Sequence, residues 1–315
     1  MTQLHQDGIK EKIRHRYENL LLDKVKIAEP NHPGELQLKI EKNDLLNRHI
    51  FFRQKEHGRY CLLSALYLEV LALGAIASTK GVTKDDLIIF ASAAKYTKEK
   101  DFYINTSLQG TVHSLGNKRG FHKYSGQLYD SNQQRLAQGE MVAYYIKDND
   151  DISQEVQKQA LTIPSSNCKK VANKNSDLKH PDLVITDELF FSSETEAWAS
   201  YFFPETHICN KGHFPGNPLL MGVLQVTSIE DTVLLWLKER DIRGHITMKV
   251  NAKLYKSHYG MIAELKNTEL KAWHDVEGIV DQCEVKSVQK VIFKQPLRPK
   301  EEIYIHITFL EVQIV

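Results

Sequence analysis

Cysteine is scarce in this chain. Four cysteines in 315 residues, Cys61, Cys168, Cys209 and Cys283, lie far apart and form no CxxC pair. That spacing excludes a disulfide framework and a cysteine zinc site, and it reads as reduced thiols in a reducing compartment. An excess of one charge is missing too. Lys+Arg is 41 and Asp+Glu is 40, a net charge of +1, so the basic footprint of a nucleic-acid binder is absent. No GxGxxG or GxxxxGK[ST] loop occurs, which removes the usual nucleotide cradles. No His/Cys/Asp/Glu group has the sequence spacing of a metal site, and neither a metal nor a cofactor is expected. The N-terminus has no apolar stretch suited to a signal peptide. The longest apolar run, Cys61–Ala77, carries Glu69 at its centre, and a mid-membrane carboxylate costs several kcal/mol. A cytoplasmic protein without a membrane span is expected, with that run as a buried helix.

What is present is core-forming material. Hydrophobic residues make up 42% of the chain, and its length suits two domains of roughly 150 residues each. A first unit is expected over residues 17–147, after an N-terminal extension at 1–16. Val25–Ile27 and Glu35–Ile40 alternate as strands do, the apolar helix follows, and Ser78–Gly81 stops it. Strands are then expected at Asp86–Lys95, Asp101–His113, Gly120–Tyr129 and Gln138–Ile146, with turns at Asn117–Gly120 and Asp130–Gln134. Residues 148–182 are polar and aperiodic and read as a linker, with one short helix at Ser153–Leu161. A second unit over 183–315 repeats the order. Strands at Glu188–Phe191 and Glu196–Phe203 precede a helix at Leu219–Leu237, and strands follow at His245–Lys256, Met261–Trp273, Val276–Phe293 and Glu301–Val315. An offset of 158 aligns Ser92–Tyr96 (SAAKY) with Val250–Leu254 (VNAKL) and Glu69 with Thr227, which points to duplication. Beyond Gly260 the register is open, because Phe293–Glu302 also matches the turn at Lys95–Asp101.

The sharpest string is Gly212–Gly222, GHFPGNPLLMG, followed by Val223 and Leu224. A Phe-Pro-Gly turn after His213 fixes the imidazole against the backbone, and Pro218 reads as the opening of the helix. Gly222 leaves backbone N–H groups approachable at the positive end of that helix, where an oxyanion could develop. An imidazole beside such donors is the minimal kit for removing a proton next to a carbonyl. The same string also reads as a Pro/Gly loop that opens a buried helix, with His213 hydrogen-bonded for structure.

These residues resemble the signature of the beta-hydroxyacyl-(acyl carrier protein) dehydratases, GHFPGxPxxPGVLxxE or its aspartate form. Gly212, His213, Phe214, Pro215, Gly216, Pro218, Gly222, Val223 and Leu224 match, and Met221 stands in place of a proline. The resemblance implies a double hot-dog fold of the α+β class, in which two antiparallel sheets each wrap a long central helix. It further implies a lyase acting on 3-hydroxyacyl thioesters of acyl carrier protein or CoA, as in fatty-acid or polyketide biosynthesis. The implied assembly is a monomeric pseudodimer or a homodimer. Where the family carries its acid, fourteen residues after the histidine, this chain has Thr227. The expected site is therefore composite, His213 of the second unit with Glu69 of the first. Gly222, Gly216, Phe214 and Pro215 would hold the oxyanion and substrate, and His57 with Thr227 would form a degenerate second site. His49 is the other first-unit histidine candidate. Glu230 and Asp231, a turn further along the helix, are not expected to replace the acid. Alternatives are a hot-dog thioesterase, an A-factor-type acyl transferase or a non-catalytic acyl-thioester-binding protein.

Overall fold

A computed structural model describes residues 2–30, 32–55, 58–146, 161–167, 171–172, 179–256 and 260–315. The first half runs β1 (Gln3–His5), α1 (Gln6–Lys10), β2 (Lys24–Lys26), β3 (Gly34–Lys39), β4 (Phe52–Gln54), β5 (Tyr60–Leu62), α2 (Leu66–Ser78), β6 (Leu87–Lys98), β7 (Ser107–Lys118), β8 (Phe121–Asp130) and β9 (Arg135–Ile146). The second runs β10 (Val171–Ala172), β11 (Glu188–Ser192), β12 (Glu196–Phe202), α3 (Gly222–Glu239), β13 (Gly244–Lys256), β14 (Met261–His274), β15 (Gln282–Phe293) and β16 (Glu302–Ile314).

All thirteen residues of α2 are buried, as are Val223–Leu237 of α3. Neither helix can lie on a surface, so each is enclosed by sheet on most sides. Among the described residues, fourteen strands form one sheet in the order β1-β2-β3-β7-β8-β9-β6-β15-β14-β13-β16-β12-β11-β10. This is a double hot-dog. The halves join where β6 pairs antiparallel with β15, from Ser92↔Ile292 to Thr97↔Ser287, so neither half ends in an open edge there.

Counting outward from that seam, β6 answers β15, β9 answers β14, β8 answers β13 and β7 answers β16. The strand after the helix therefore sits at the seam in the first half and two places out in the second. The offset of 158 aligns β6 with β13, which follow equivalent helices but hold different sheet positions. The competing match, Phe293–Glu302 with Lys95–Asp101, aligns the β15–β16 turn with the β6–β7 turn, and this is the sheet equivalence. Duplication is visible in the sheet, with its post-helix strands circularly permuted.

Other expectations need adjustment. Residues 1–16 are not an appendage, because Gln3–His5 pairs with Lys24–Lys26 and Ile9 and Ile13 are buried. The helix begins at Leu66 rather than Cys61, since Leu62 N–H donates to Phe102 and Leu63 N–H to the Phe51 carbonyl. Strand β7 begins at Ser107 because the preceding segment turns back on β5, with Ile104 N–H donating to Tyr60. Asp275 and Gly278, both at positive φ, form a turn and delay β15 to Gln282. Part of the expected linker belongs to the second half, where the Asn167 side chain brackets Ser192 and Val171–Ala172 pairs with β11. The helix expected at Ser153–Leu161 falls, except for its last residue, outside the described residues.

Beside the seam lies a buried charge cluster. Glu284 on β15 is fully buried and meets Arg53 of β4 at 2.7 Å, Lys98 of β6 at 2.9 Å, Lys286 at 3.3 Å and Lys55. Burial opposes its ionisation, but Arg53, Lys98 and Lys55 prevail and hold its pKa well below the usual carboxylate range. Removing the carboxylate would strip the buried Arg53 of its ion pair and leave Lys55 and Lys98 to Asp101 alone. Glu284→Ala should lower unfolding free energy by about 3–5 kcal/mol, read from the urea midpoint with an unchanged slope.

Candidate active site

The string identified in the sequence forms a tight loop ahead of α3. His213 N–H donates to the Cys209 carbonyl at 2.9 Å, and Asn217 N–H donates to Phe214 at 2.9 Å. Pro215 and Gly216 are the central residues of that turn, and Gly216 supplies its positive φ of 84°. Phe214 itself sits at φ 58°, a strained conformation for a residue with a side chain. Pro218 does not open the helix. It lies four residues ahead of Gly222, where α3 starts, and the intervening residues carry the carbonyl that fixes His213.

That carbonyl belongs to Leu219. It lies 2.7 Å from Nδ1 of His213. The carbonyl can only accept, so Nδ1 carries the proton and Nε2 is left with its lone pair. The ring is 7% exposed. Burial first, and then the neighbouring imidazole of His15, push its pKa down to about 4, so His213 is neutral at physiological pH.

Glu69, in the first turn of α2, is 5% exposed despite an otherwise apolar helix. Its Oε1 lies 3.3 Å from Nε2 of His15. His15, Glu69 and His213 each present a donor atom to a shared space, with these atoms all within 4.8 Å of one another. The fold thus brings together the histidine and carboxylate singled out in the sequence, although they belong to different halves. The His15 ring stands 5.0 Å from that of His213 and 5.4 Å from that of Phe214, which itself packs 4.5 Å from His213.

His15 is the member that sequence reading missed. Its position depends on Gly212. Arg16 N–H donates to the Gly212 carbonyl at 2.9 Å, and the Asn19 side chain donates to the Cys209 carbonyl at 3.3 Å. A Cβ on Gly212 would lie 2.3 Å from the Arg16 carbonyl oxygen, so only glycine allows this approach.

The remaining sequence candidates fall in different places. Pro215 and Gly216 are exposed and shape the turn, whereas only Phe214 of the three reaches the imidazoles. Gly222 is the first residue of α3, and a Cβ there would meet the Phe293 ring at 3.0 Å, so Phe293 stands over that helix end. Thr227 is fully buried and turns its hydroxyl to the Val223 carbonyl of its own helix at 3.3 Å. His57 lies outside the described residues. Glu230 accepts from Ser64 and from Val285 N–H at 2.7 Å, and Asp231 accepts from Lys179 at 2.6 Å and Ile185 N–H at 2.7 Å. Both carboxylates are committed away from His213.

Among the described residues, no helix is long and apolar enough to cross a membrane. No family model and no curated protein matches the chain. Solved structures with a similar fold include the dehydratase domain of PpsC from Mycobacterium tuberculosis in complex with C12:1-CoA. It is 12% identical with a TM-score of 0.49, covering 88% of this chain and 99% of that one. The dehydratase domain from the CurF module of curacin polyketide synthase is 13% identical with a TM-score of 0.49, covering 87% and 99%. That of RzxB from Pseudomonas fluorescens is 10% identical with a TM-score of 0.48, covering 89% and 99%.

The contact at Gly212 makes a direct test. Gly212→Ala should cost about 1–3 kcal/mol of stability through overpacking against the Arg16 backbone. Turnover on the substrate class proposed below should fall by more than about tenfold in protein that remains folded, because a displacement near 1 Å is enough to spoil a site. Unchanged stability would contradict this docking of the N-terminal segment.

Proposed function

We propose that this chain is a dehydratase acting on 3-hydroxyacyl thioesters. The observation that carries the reading is the meeting of His213 and Glu69, from separate halves, in one buried space. The match of Gly212–Leu224 to the dehydratase signature supports it.

In the proposed reaction the neutral Nε2 of His213 removes the proton from the carbon next to the thioester carbonyl. Charge moves onto the carbonyl oxygen, which the backbone N–H at Gly222 stabilises. One such preorganised donor contributes roughly 3–4 kcal/mol in enzymes where it has been removed. The carbon–oxygen bond at the third carbon then breaks, and Glu69, as the carboxylic acid, protonates the departing hydroxyl to give water and the enoyl thioester. His213 ends with one proton more and Glu69 with one fewer. His15, beside Glu69 and against the His213 ring, supports the return transfer that resets the pair. The acyl group would arrive on the phosphopantetheine arm of an acyl carrier protein or of CoA.

Conversion of 3-hydroxybutyryl-CoA to crotonyl-CoA, followed by ultraviolet absorbance and mass spectrometry, tests the assignment. His213→Ala and Glu69→Gln should each lower turnover by about 100-fold or more, the range for a positioned acid or base, with circular dichroism unchanged. Free acid without enoyl product, or full activity in both variants, would overturn the reading. A second expectation concerns pH. Because burial and His15 keep His213 neutral down to about 4, its acid limb in kcat/KM should lie well below that of an ordinary imidazole, near 6.5. A His213-dependent limb at the ordinary value would mean that the imidazole is solvated in the working enzyme.

A further inference from the structure

His15 is 7% exposed, and neither of its ring nitrogens has a hydrogen-bond partner. Its approach to Glu69 lies at ion-pair distance without hydrogen-bond geometry. Buried polar atoms are almost always hydrogen-bonded, because an unsatisfied one forfeits its bonds to water, so nitrogens held this way call for a ligand. The neighbouring donors say which kind. Two imidazoles and one carboxylate form the His2Glu set that takes zinc and similar borderline ions, whereas magnesium and calcium require mostly oxygen. A tetrahedral ion with bonds of about 2.0–2.1 Å spaces its ligands by roughly 3.3 Å. His15 Nε2 and Glu69 Oε1 already stand 3.3 Å apart, and all three donors lie within 4.8 Å, so a small closing movement would complete the site. His213 is prepared in the same sense, since its Nδ1–H is held by the Leu219 carbonyl and its Nε2 points its lone pair elsewhere.

We propose that His15, Glu69 and His213 bind a divalent ion of the zinc class, with a fourth position left for water. No run of sequence could display this site, because its ligands come from three separate segments. Metal binding does not depend on the reaction assigned above. Its consequence does rest on that reading: a bound ion would occupy the atoms that move protons, so the loaded form would be inactive in dehydration and reactivated by a chelator.

The test is titration of the full chain, stripped with EDTA, with Co2+ at about pH 7.5, because metal binding releases protons from its ligands and weakens in acid. One equivalent should give the visible absorption of tetrahedral cobalt without a thiolate charge-transfer band, and Zn2+ should displace it with a dissociation constant below about 10 µM. His15→Gln, Glu69→Gln and His213→Gln should each weaken binding by at least about 100-fold, and exposed His113→Gln should not. No saturable spectrum, a thiolate band that assigns the ion to cysteine, or wild-type binding by His15→Gln would overturn the proposal. The activity arm separates the two readings. Metal binding without turnover in the stripped protein would sink the dehydratase assignment alone, and turnover without metal binding would sink the metal site alone.

Discussion

A helix with no polar face cannot rest against a core; it has to be surrounded by one. That constraint governs the molecule. Every residue of α2 is buried, and α3 is buried along fifteen consecutive positions, so each needs a sheet that curls around it. Two curled sheets side by side would each present an inner edge, and the pairing of β6 with β15 removes both of these. The same enclosure puts Glu69 out of reach of bulk water, where a carboxylate is stable only with polar company. A histidine from the other half and another from the N-terminal segment supply it. The site is thus a consequence of how the helices are buried.

Two buried clusters of polar groups differ in how their partners are arranged. On one side His213, Glu69 and His15 stand close together, and neither His15 nitrogen has a hydrogen-bond partner. Elsewhere at the seam, Glu284 is surrounded by Arg53, Lys55 and Lys98, and Glu230 is taken by Ser64 and Val285. One set of groups is bound into ion pairs and hydrogen bonds and serves cohesion; the other holds an imidazole with no hydrogen-bond partner and is the one placed for chemistry.

Much of this was legible in the sequence, for definite reasons. The apolar runs around Glu69 and Thr227 could be little else than enclosed helices. The Phe-Pro-Gly turn announced its own geometry because Gly216 takes a conformation that suits glycine. Strand order was not legible. Period-two alternation marks a strand without saying where it sits in a sheet, and one offset across helix and strand aligned β6 with a strand in another position. His15 was hidden for a different reason. It stands between two arginines with no motif around it, and its placement comes from a backbone contact to Gly212. The buried pair Ile9 and Ile13, four residues apart, was the local sign that this segment packs into the fold.

The bond from the Asn19 side chain to the Cys209 carbonyl joins residues 190 apart in sequence. Closing so long a loop carries an entropic cost that helices and hairpins do not bear, and contacts of this kind form after local ones. Here it is accompanied by the Arg16 N–H bond to the Gly212 carbonyl and by the buried Leu20, Leu21 and Leu22. Residues 1–16 are tied to the first half by β1, by Ile9 and Ile13 and by the bonds of Lys12 and Arg14 to the Thr79, Lys84 and Asp85 carbonyls, so the contact at Gly212 is what joins this segment to the second half. Loosening the contact at Gly212 alone would part His15 from His213 while β1 and the two isoleucines kept their places, so competence and foldedness need not be lost together.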